Sequence, residues 1–351
     1  HLPNGYTRMI HTAHRRRRLP IRMLPSRILD TTRSNGSQSP APDPASMDFS
    51  REHLPGSVLA RFLHLRGRRI VNACGALWYS VPGRFLMSLP YQTMLNPDPE
   101  ELRRMMREAG ALGARFPSLS WSGLKSGLYV LRKRNYDFDS VHIKHRPRVR
   151  RGMQCFEVRP AEKAQLLAQG CELNLSTMAR QGRYDPEFGE PRRWARLVDA
   201  AFACPEISFP AAFSGTRLVA YMVTCREGKW LHILHQMSRQ GDLSNFPNHL
   251  LTYTVTQQAT ADTSLEAVCY GYMPLFAADG LHEYKLRFGY EMVPHQSAIQ
   301  LHPLPNTLLN RTAARAAVRL ARRLRRQNQV LETLETVLEG AYSSRPSINP
   351  C

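Results

Sequence analysis

The sequence predicts an α/β protein with mixed, mostly antiparallel sheets, and three patterns in its 351 residues support this prediction. Apolar segments broken by glycine turns at 207–238 are typical of an antiparallel meander. The segment 191–204 places its apolar side chains on one face of a helix. The nearly continuous apolar segment 264–275 indicates a strand covered on both faces. The order predicted for 191–303 is helix, antiparallel strands, helix, buried strand, helix and strand, with the N-terminus of a mid-sheet helix facing a cleft.

Similar elements are predicted in the first half of the chain. The segment 68–93 predicts two strands joined by a proline-glycine turn. A helix should follow, with Asp98 as its N-cap and two glutamates against the positive end of its dipole. The segment 126–145 predicts a strand, a turn and a second strand. A short helix is expected to begin at Pro160 and to end at Gly170.

The net charge of +20 suggests a nucleic-acid binder, but its distribution weakens that interpretation. Residues 1–47 hold eight arginines against two aspartates, and residues 306–351 hold eight arginines against three glutamates. The two ends therefore carry +6 and +5, which leaves +9 for residues 48–305. The central part of the chain is only moderately basic.

The seven cysteines are scattered and form no C-x-x-C pair. This pattern argues for a reducing, cytoplasmic compartment and against a disulfide framework or a zinc site, so no metal is expected. No apolar run approaches the ~18 residues of a membrane span.

The two ends of the chain have their own patterns. Residues 1–47 are rich in Arg, Pro and Ser, which predicts a disordered or spurious leader, with a targeting peptide as the alternative. Residues 306–341 predict a long amphipathic helix, followed by a tail at 342–351. The basic stripe of 307–340 favours a solvated face or a coiled-coil-like partner helix, and a nucleic-acid or membrane contact stays open.

Four segments, in this order and spacing, together resemble the Fem-type (FemAB-like) branch of the GNAT acyltransferases, in which two GNAT-like lobes follow each other. They are "VHIKHRPRVRRGM" (141–153), "STMARQGRY" (176–184), "FPNHLLTYTVTQQA" (246–259) and "YKLRFGYEMVP" (284–294). The resemblance spans roughly 55–303. It implies a GNAT-type fold with lobes at 48–175 and 176–305, and N-acyl or aminoacyl transfer to an amine as the activity.

The sequence departs from this family in two places. Tyr284 stands where the family has phenylalanine. GNAT enzymes that use acyl-CoA hold its pyrophosphate on a glycine-rich loop, of which only Arg239 and Gly241 are present here as candidate cofactor-binding residues. Asp242 beside them would repel a phosphate. Acyl-CoA therefore remains a possible co-substrate, although the loop motif that would bind it is weak. The other candidate is aminoacyl-tRNA, the donor of the Fem-type branch.

The resemblance implies two catalytic candidates, Lys285 and Tyr284. A lysine can stabilise a developing negative charge, and a tyrosine can act as a general acid. A surface lysine and a core tyrosine are the structural alternatives. Main-chain N–H groups near Tyr270 and Gly271 could bind the acyl carbonyl, because the glycine permits a bulge.

The remaining substrate-binding candidates are basic or polar. The densest basic cluster of residues 48–305 could bind a phosphorylated acceptor or the end of a tRNA. The structural alternative is a solvated linker. Asn248 is also a candidate and is expected to cap its helix. The basic candidates are Lys144, Arg146, Arg150 and Arg151.

Five other residues receive structural predictions. Phe288 should anchor the last helix, and Gly289 should take a left-handed C-cap. Glu283 should face solvent. His232 and His235 should lie on opposite faces of a strand, which argues against joint metal ligation.

Two function hypotheses follow. The first is an N-acyltransferase whose acceptor is a small-molecule or peptide amine, with tRNA as a further candidate partner. The second is a catalytically silent GNAT-like module that binds nucleic acid or protein through its basic clusters.

Overall fold

One sheet runs through the residues that the computed structural model describes, which are 56–132, 134–273, 279–302, 340–341 and 343–344. All of them belong to one compact unit that begins at Ser50. The described strands are β1 (Ile70–Ala73), β2 (Ala76–Val81), β3 (Phe85–Leu89), β4 (Gly113–Ser118), β5 (Leu124–Leu131), β6 (Glu157–Pro160), β7 (Ile207–Ser208), β8 (Pro210–Ser214), β9 (Arg217–Glu227), β10 (Trp230–Ser238), β11 (Ala267–Tyr272) and β12 (Glu291–Leu301).

The described helices flank this sheet. They are α1 (Val58–Leu65), α2 (Pro99–Glu108), α3 (Arg146–Cys155), α4 (Lys163–Gln165), α5 (Cys171–Arg180), α6 (Pro186–Gly189), α7 (Pro191–Phe202), α8 (Pro247–Ala261) and α9 (Asp279–Arg287). Single 3₁₀ turns lie at Phe138–Ser140 and Gln240–Asn245.

The sheet confirms the predicted mixed, mostly antiparallel class. Its order is β1-β2-β3-β4-β12-β5-β11-β10-β9-β8-β6, with β7 paired to β9. Among the described strand pairs, only β3–β4 and β10–β11 are parallel. Each parallel pair is joined through a helix, α2 in the first half and α8 in the second, because parallel strands need a long crossover.

The two halves of the chain exchange strands. β12 of the second half lies between β4 and β5, and β5 of the first half lies between β12 and β11. The predicted lobe boundary at 175/176 falls inside α5. The division into two lobes stays a prediction, and the described halves share one sheet.

β9 shows why this sheet is stable. Alternate side chains of a strand point to opposite faces, and here both faces are covered. Tyr221 and Val223 belong to the apolar core formed with α1, α5 and α7. Ala220 and Met222 belong to the core formed with α3 and α8. This two-sided burial explains the long apolar run that the sequence shows at 217–225.

Local signals place the helix before β4 as predicted. The Asp98 side chain accepts hydrogen bonds of 2.9 Å from the main-chain N–H groups of Glu100 and Glu101. An N-cap of this kind typically contributes ~1 kcal/mol.

Three sequence predictions about the first half are wrong. The segment predicted to form two strands around a proline-glycine turn forms three strands, β1, β2 and β3. Residues 141–145 form a turn that leads into α3 and not a strand. The helix expected from Pro160 begins at Lys163 and continues through a π-helical turn (Leu166–Gly170) into α5, so Gly170 is not its end. A Cβ on Gly170 would lie 2.7 Å from Cζ2 of Trp194, so the glycine permits a close approach of this ring and does not stop the helix.

Several predictions fall on residues that the structure does not describe. The leader 1–47, nearly all of the helix 306–341 and most of the tail 342–351 lie outside the described residues. Within the described part, no helix is both long enough and apolar enough to span a bilayer. The same part contains no cluster of three or more His, Cys, Asp or Glu side chains suited to hold a metal ion.

Candidate functional site

The site begins where two parallel strands separate. β10 and β11 are paired from Trp230/Ala267 to His232/Cys269, after which β10 continues to Ser238 without β11 beside it. A register shift follows Cys269 in β11, and Gly271 has φ +70°. The predicted bulge at Gly271 is therefore present, and a cleft of about 710 Å³ opens between the separated strands and the N-terminus of α8.

The walls of this cleft come from five parts of the chain and carry positive but no negative side chains among the described residues. They are Arg180, Gln181 and Arg183 after α5; Ile233, Leu234, His235, Gln236 and Met237 of β10; Leu243, Phe246, Pro247, Asn248 and His249 at the start of α8; Tyr270, Gly271 and Tyr272 of β11; and Gly280, Leu281, Tyr284 and Lys285 of α9.

Lys285 is buried in the cleft wall and is not a surface lysine. It is 5% exposed, and its Nζ donates a hydrogen bond of 2.6 Å to the main-chain carbonyl of Tyr270. The rings of Tyr129 and Tyr270 lie 4.2 and 4.8 Å from Nζ, so two aromatic faces flank the ammonium. Burial lowers the pKa of Lys285 to about 8, since a desolvated ammonium loses its proton more readily. A perturbed cation in a cleft is a candidate functional group.

Tyr284 lies beside the cleft, but its hydroxyl is already engaged. It donates to the main-chain carbonyl of Asn248 at 3.0 Å and lies 2.8 Å from the Thr252 hydroxyl. Burial raises the pKa of Tyr284 well above the usual value. This geometry favours a structural tyrosine that holds the start of α8 over the predicted general acid. It also explains why tyrosine can replace phenylalanine here, because Thr252 and the Asn248 carbonyl satisfy the added hydroxyl.

A network of polar side chains supports this wall. The Tyr270 hydroxyl donates to the Gln236 side-chain carbonyl and lies 3.3 Å from the Thr252 hydroxyl. The Gln236 amide donates to the main-chain carbonyl of Asn248 at 3.1 Å. β10, β11, α8 and α9 are thereby connected, which keeps the wall in one arrangement.

Asn248 is in the cleft wall, but its predicted capping role is wrong. α8 begins at Pro247, its N-cap is Phe246 at φ +59°, and no side chain caps the helix. The Asn248 amide nitrogen donates to Ser238 at 3.1 Å, and its side-chain oxygen is buried without a described partner. The uncapped N-terminus of α8 therefore faces the cleft and contributes positive potential.

The predicted basic cluster lies next to the cleft and does not line it. Arg146 binds the carboxylate of Asp139 at 2.7 Å and holds the preceding turn. Arg150 lies 4.7 Å over the ring of Phe138. Arg151 donates to the Asn245 side chain at 3.1 Å, and Lys144 is exposed.

The predicted cofactor-binding residues are not in the cleft wall. Arg239 pairs with Glu172 and lies 3.9 Å from Asp242. Gly241 lies in the 3₁₀ turn Gln240–Asn245. Asp242 is held by two hydrogen bonds of 2.7 and 2.8 Å from Arg217. The turn is therefore fastened to neighbouring side chains, and Arg239 and Gly241 do not meet the other site candidates.

Sequence reasoning missed the arginines of the cleft. Arg180 donates to Ser238 at 3.1 Å, and Arg183 donates to Gln181 at 2.6 Å. Burial lowers the pKa of both guanidinium groups, and by exposure of the whole residue Arg183 is half-buried whereas Arg180 is exposed. Both belong to the segment 176–184, one of the four that carry the family resemblance, in which no substrate-binding residue was predicted.

A pair of histidines was missed as well. The rings of His145 and His249 are 4.8 Å apart, and His249 lines the cleft. Burial, with Arg148 nearby, lowers the pKa of His145 to about 4 and of His249 to about 3. Both rings are therefore neutral at physiological pH. Each ring packs against Tyr284 and Phe288, so the pair closes the apolar side of the cleft wall.

The structural predictions around the last helix agree with the geometry. Phe288 is fully buried, and Gly289 ends the helix at φ +83°. Glu283 is half exposed and pairs with Arg287 at 3.1 Å. His232 contacts Tyr91 and Trp230, whereas the His235 ring contacts Phe188 in a different environment.

Comparison with known proteins shows structural likeness without a sequence match. No protein-family model matches the chain, and no curated protein matches its sequence. The chain is similar in structure to FemX (12% identity, 72% of this chain and 92% of that chain, TM-score 0.49). It is also similar to L-PGS from Bacillus licheniformis (14%, 67% and 85%, TM-score 0.43) and to a tandem GNAT protein from the clavulanic acid biosynthesis pathway (7%, 64% and 77%, TM-score 0.41). At these identities and scores the likeness identifies neither a donor nor an acceptor.

Proposed function

We propose that the cleft transfers an acyl or aminoacyl group from a donor to an amine and forms an amide. The observation that carries this proposal is the buried ammonium of Lys285 at the point where β11 separates from β10. An acyl group that enters between the separated strands would meet this cation first. Lys285 itself lines the cleft, so its charge is available to a bound ligand.

The chemistry needs few groups. The neutral acceptor amine attacks the carbonyl carbon of the donor, a C–N bond forms, and the carbonyl oxygen becomes an oxyanion. The bond between the carbonyl carbon and the oxygen or sulfur of the donor then breaks, the attacking nitrogen loses a proton, and the leaving atom takes one up. With a pKa of about 8, Lys285 is mostly protonated at pH 7. One of its three N–H groups donates a hydrogen bond to the main-chain carbonyl of Tyr270. The other two can donate hydrogen bonds to the oxyanion or to the leaving oxygen.

The charge of the cleft favours an anionic substrate. Arg180, Arg183 and Lys285 are in its wall together with the uncapped N-terminus of α8, and no described carboxylate lines it. Phosphate-bearing donors or acceptors suit such a surface. Because Arg239 and Gly241 lie outside the wall, we infer that the donor is an aminoacyl ester of tRNA and not acyl-CoA.

The test compares two lysine variants. Purified wild-type protein is incubated with either mixed aminoacyl-tRNA or a panel of acyl-CoA thioesters, together with small amines and short peptides, and amide products are detected by mass spectrometry. Lys285→Met should lower the rate by ~100-fold or more, because removal of one oxyanion donor typically has an effect of that size. Lys229→Met is the matched control, since Lys229 is exposed and pairs with Glu266 outside the cleft.

Three results would count against the proposal. An undiminished rate in a folded Lys285→Met protein would remove the lysine from the reaction. Products from acyl-CoA alone would overturn the inference about the donor. No product from either donor, with RNA binding that depends on Arg150 and Arg151, would favour the silent binding module.

A further inference from the structure

A second cavity lies outside the cleft, and its walls are strongly cationic. It has a volume of about 260 Å³, opens to solvent, and is bordered by the end of α1, by α6 and by α7. Among the described residues that line it, four guanidinium groups meet one carboxylate, which gives a net charge of four minus one, or +3. Its lining residues are Arg66, Gly67, Arg68, Glu187, Arg193, Arg196 and Leu197. Arginine stays protonated in proteins, so the four positive charges persist across the physiological pH range.

The single carboxylate holds two of the arginines in place. Glu187 forms ion pairs with Arg66 and, at 2.6 Å, with Arg68. The Arg66 side chain is only 10% exposed, and its guanidinium lies 4.9 Å from the ring of Phe62. Both guanidinium groups are therefore oriented before any ligand arrives. One carboxylate neutralises one of the two charges and leaves the other in excess.

The other two arginines come from one face of α7. Arg193 and Arg196 are three residues apart, which places their side chains next to each other on a helix. Arg193 pairs at 2.7 Å with Glu190, which does not line the cavity. Arg196 forms no ion pair with any carboxylate of the described residues. Like charges at this spacing repel each other, so a bound anion would relieve the repulsion.

The cavity is separate from the transfer cleft. α6 stands between them, with Glu187 on the side of the arginines and Phe188 on the side of the cleft. Phe188 is 1% exposed, and its ring lies 4.5 Å from the ring of His235, which lines the cleft. Within the described part of the chain, no residue lines both cavities.

We propose that this arginine cavity (Arg66, Arg68, Arg193 and Arg196) binds a diphosphate group, either free or carried by a nucleotide. The planar fork of a guanidinium matches phosphoryl oxygens in pairs of hydrogen bonds. Each phosphoryl group brings about −1.5 to −2 charges, so a diphosphate would neutralise the +3 of the lining residues, or the +2 that remains when Glu190 beside Arg193 is counted. The volume of about 260 Å³ lies just below the roughly 300–1,000 Å³ of sites for drug-sized ligands, which suits a compact anion.

The test measures binding of inorganic pyrophosphate to the full chain by calorimetry at low salt, where screening is weak. Arg68→Gln and Arg196→Gln should each weaken binding by about tenfold or more, the effect expected when one hydrogen bond to a charged group is lost. Arg192→Gln is the matched control, because Arg192 is an exposed neighbour on α7 that does not line the cavity, and it should change affinity less than about twofold. Arg66 is left unchanged, since its burial makes misfolding a risk.

A cleft variant separates the two cationic sites. Arg180→Gln should leave the pyrophosphate affinity of the arginine cavity unchanged, and ADP in place of pyrophosphate shows whether the diphosphate is free or part of a nucleotide. Absence of binding by the wild-type protein would overturn the site. Loss of binding in Arg180→Gln alone would also overturn the site, because the anion would then bind in the cleft. A loss in Arg192→Gln equal to that in the cavity variants would overturn it as well, because the anion would then be attracted by the general positive charge.

Discussion

The ammonium of Lys285 donates a hydrogen bond of 2.6 Å to the main-chain carbonyl of Tyr270. The first residue belongs to α9 and the second to β11, just before the bulge at Gly271. This bond ties the helix to the strand that separates from β10. It also leaves a buried cation with no described carboxylate as its partner, stabilised by a carbonyl and two aromatic rings. Such an arrangement has a cost in stability, and the cost depends on pH.

The first prediction concerns that pH dependence. The pKa of Lys285 is about 8 in the folded protein and 10.5 in the reference state, so the unfolded chain binds more protons between these values. The free energy of unfolding should therefore rise with pH across this window, by about 3 kcal/mol in total. Below pH 8 the full penalty for the buried charge is present. The measurement is urea unfolding of wild type and Lys285→Met from pH 7 to 11.

The comparison with Lys285→Met isolates this group, because the other titrating groups are common to both proteins and, among the described residues, only the pKa of Cys269 is coupled to Lys285. The difference in unfolding free energy, wild type minus variant, should increase with pH. A difference that stays constant over the window would mean that Lys285 titrates normally and is not desolvated.

The second prediction concerns the hydroxyl of Tyr284. Tyr284→Phe should reduce the free energy of unfolding by about 1 kcal/mol, the usual net value of a hydrogen bond, because Asn248 and Thr252 each keep another partner. Any transfer activity should stay within about threefold of wild type, since the hydroxyl is engaged with these two partners. Tyr253→Phe, which removes a hydroxyl bonded to Gln257, is the control. A ~100-fold loss of rate with unchanged stability would instead identify Tyr284 as the general acid.

The third prediction compares two glycines. A Cβ at Gly170 would lie 2.7 Å from Cζ2 of Trp194, which is 1% exposed and cannot move freely. Gly170→Ala should therefore destabilise the protein by about 1–3 kcal/mol. A Cβ at Gly241 would have no atom within 4 Å, so the free energy of unfolding of Gly241→Ala should be within about 0.5 kcal/mol of the wild-type value. Thermal unfolding distinguishes them, and equal midpoints would refute the close approach of Gly170 to Trp194.

The fourth prediction tests the bulge in β11. Gly271 has φ +70° and open space around a potential Cβ, so only backbone strain opposes a side chain there. Gly271→Ala should lower the free energy of unfolding by about 1–2 kcal/mol. Gly271→Asn should lower it less, because asparagine tolerates the left-handed region better than alanine. Chemical denaturation of both variants provides the measurement. Equal stability of Gly271→Ala and wild type would argue against the strained bulge.

Much of the second half could be predicted from its sequence. The positions of β9, β10, α8, β11, α9 and β12 follow from local signals: turn glycines, a proline at a helix start, and a run of apolar residues. Lys285 is a catalytic candidate because it lies in a segment that resembles a family motif; it lines the cleft, and its catalytic role stays a prediction. In the first half, the helix end predicted at Gly170 is wrong. A glycine can end a helix or allow close packing, and only the position of Trp194 decides between the two roles.

The sequence by itself determined which segments become helices and strands in most of the chain, because hydrophobic period, caps and turns are properties of neighbouring residues. Only the tertiary structure decided what these elements bring together. Arg180 and Arg183 reach the cleft, and the predicted basic cluster does not, because the packing of α3 and α5 sets the direction of their side chains. The exchange of β5 and β12 and the burial of Lys285 against Tyr270 likewise depend on contacts between distant residues, which no local pattern records.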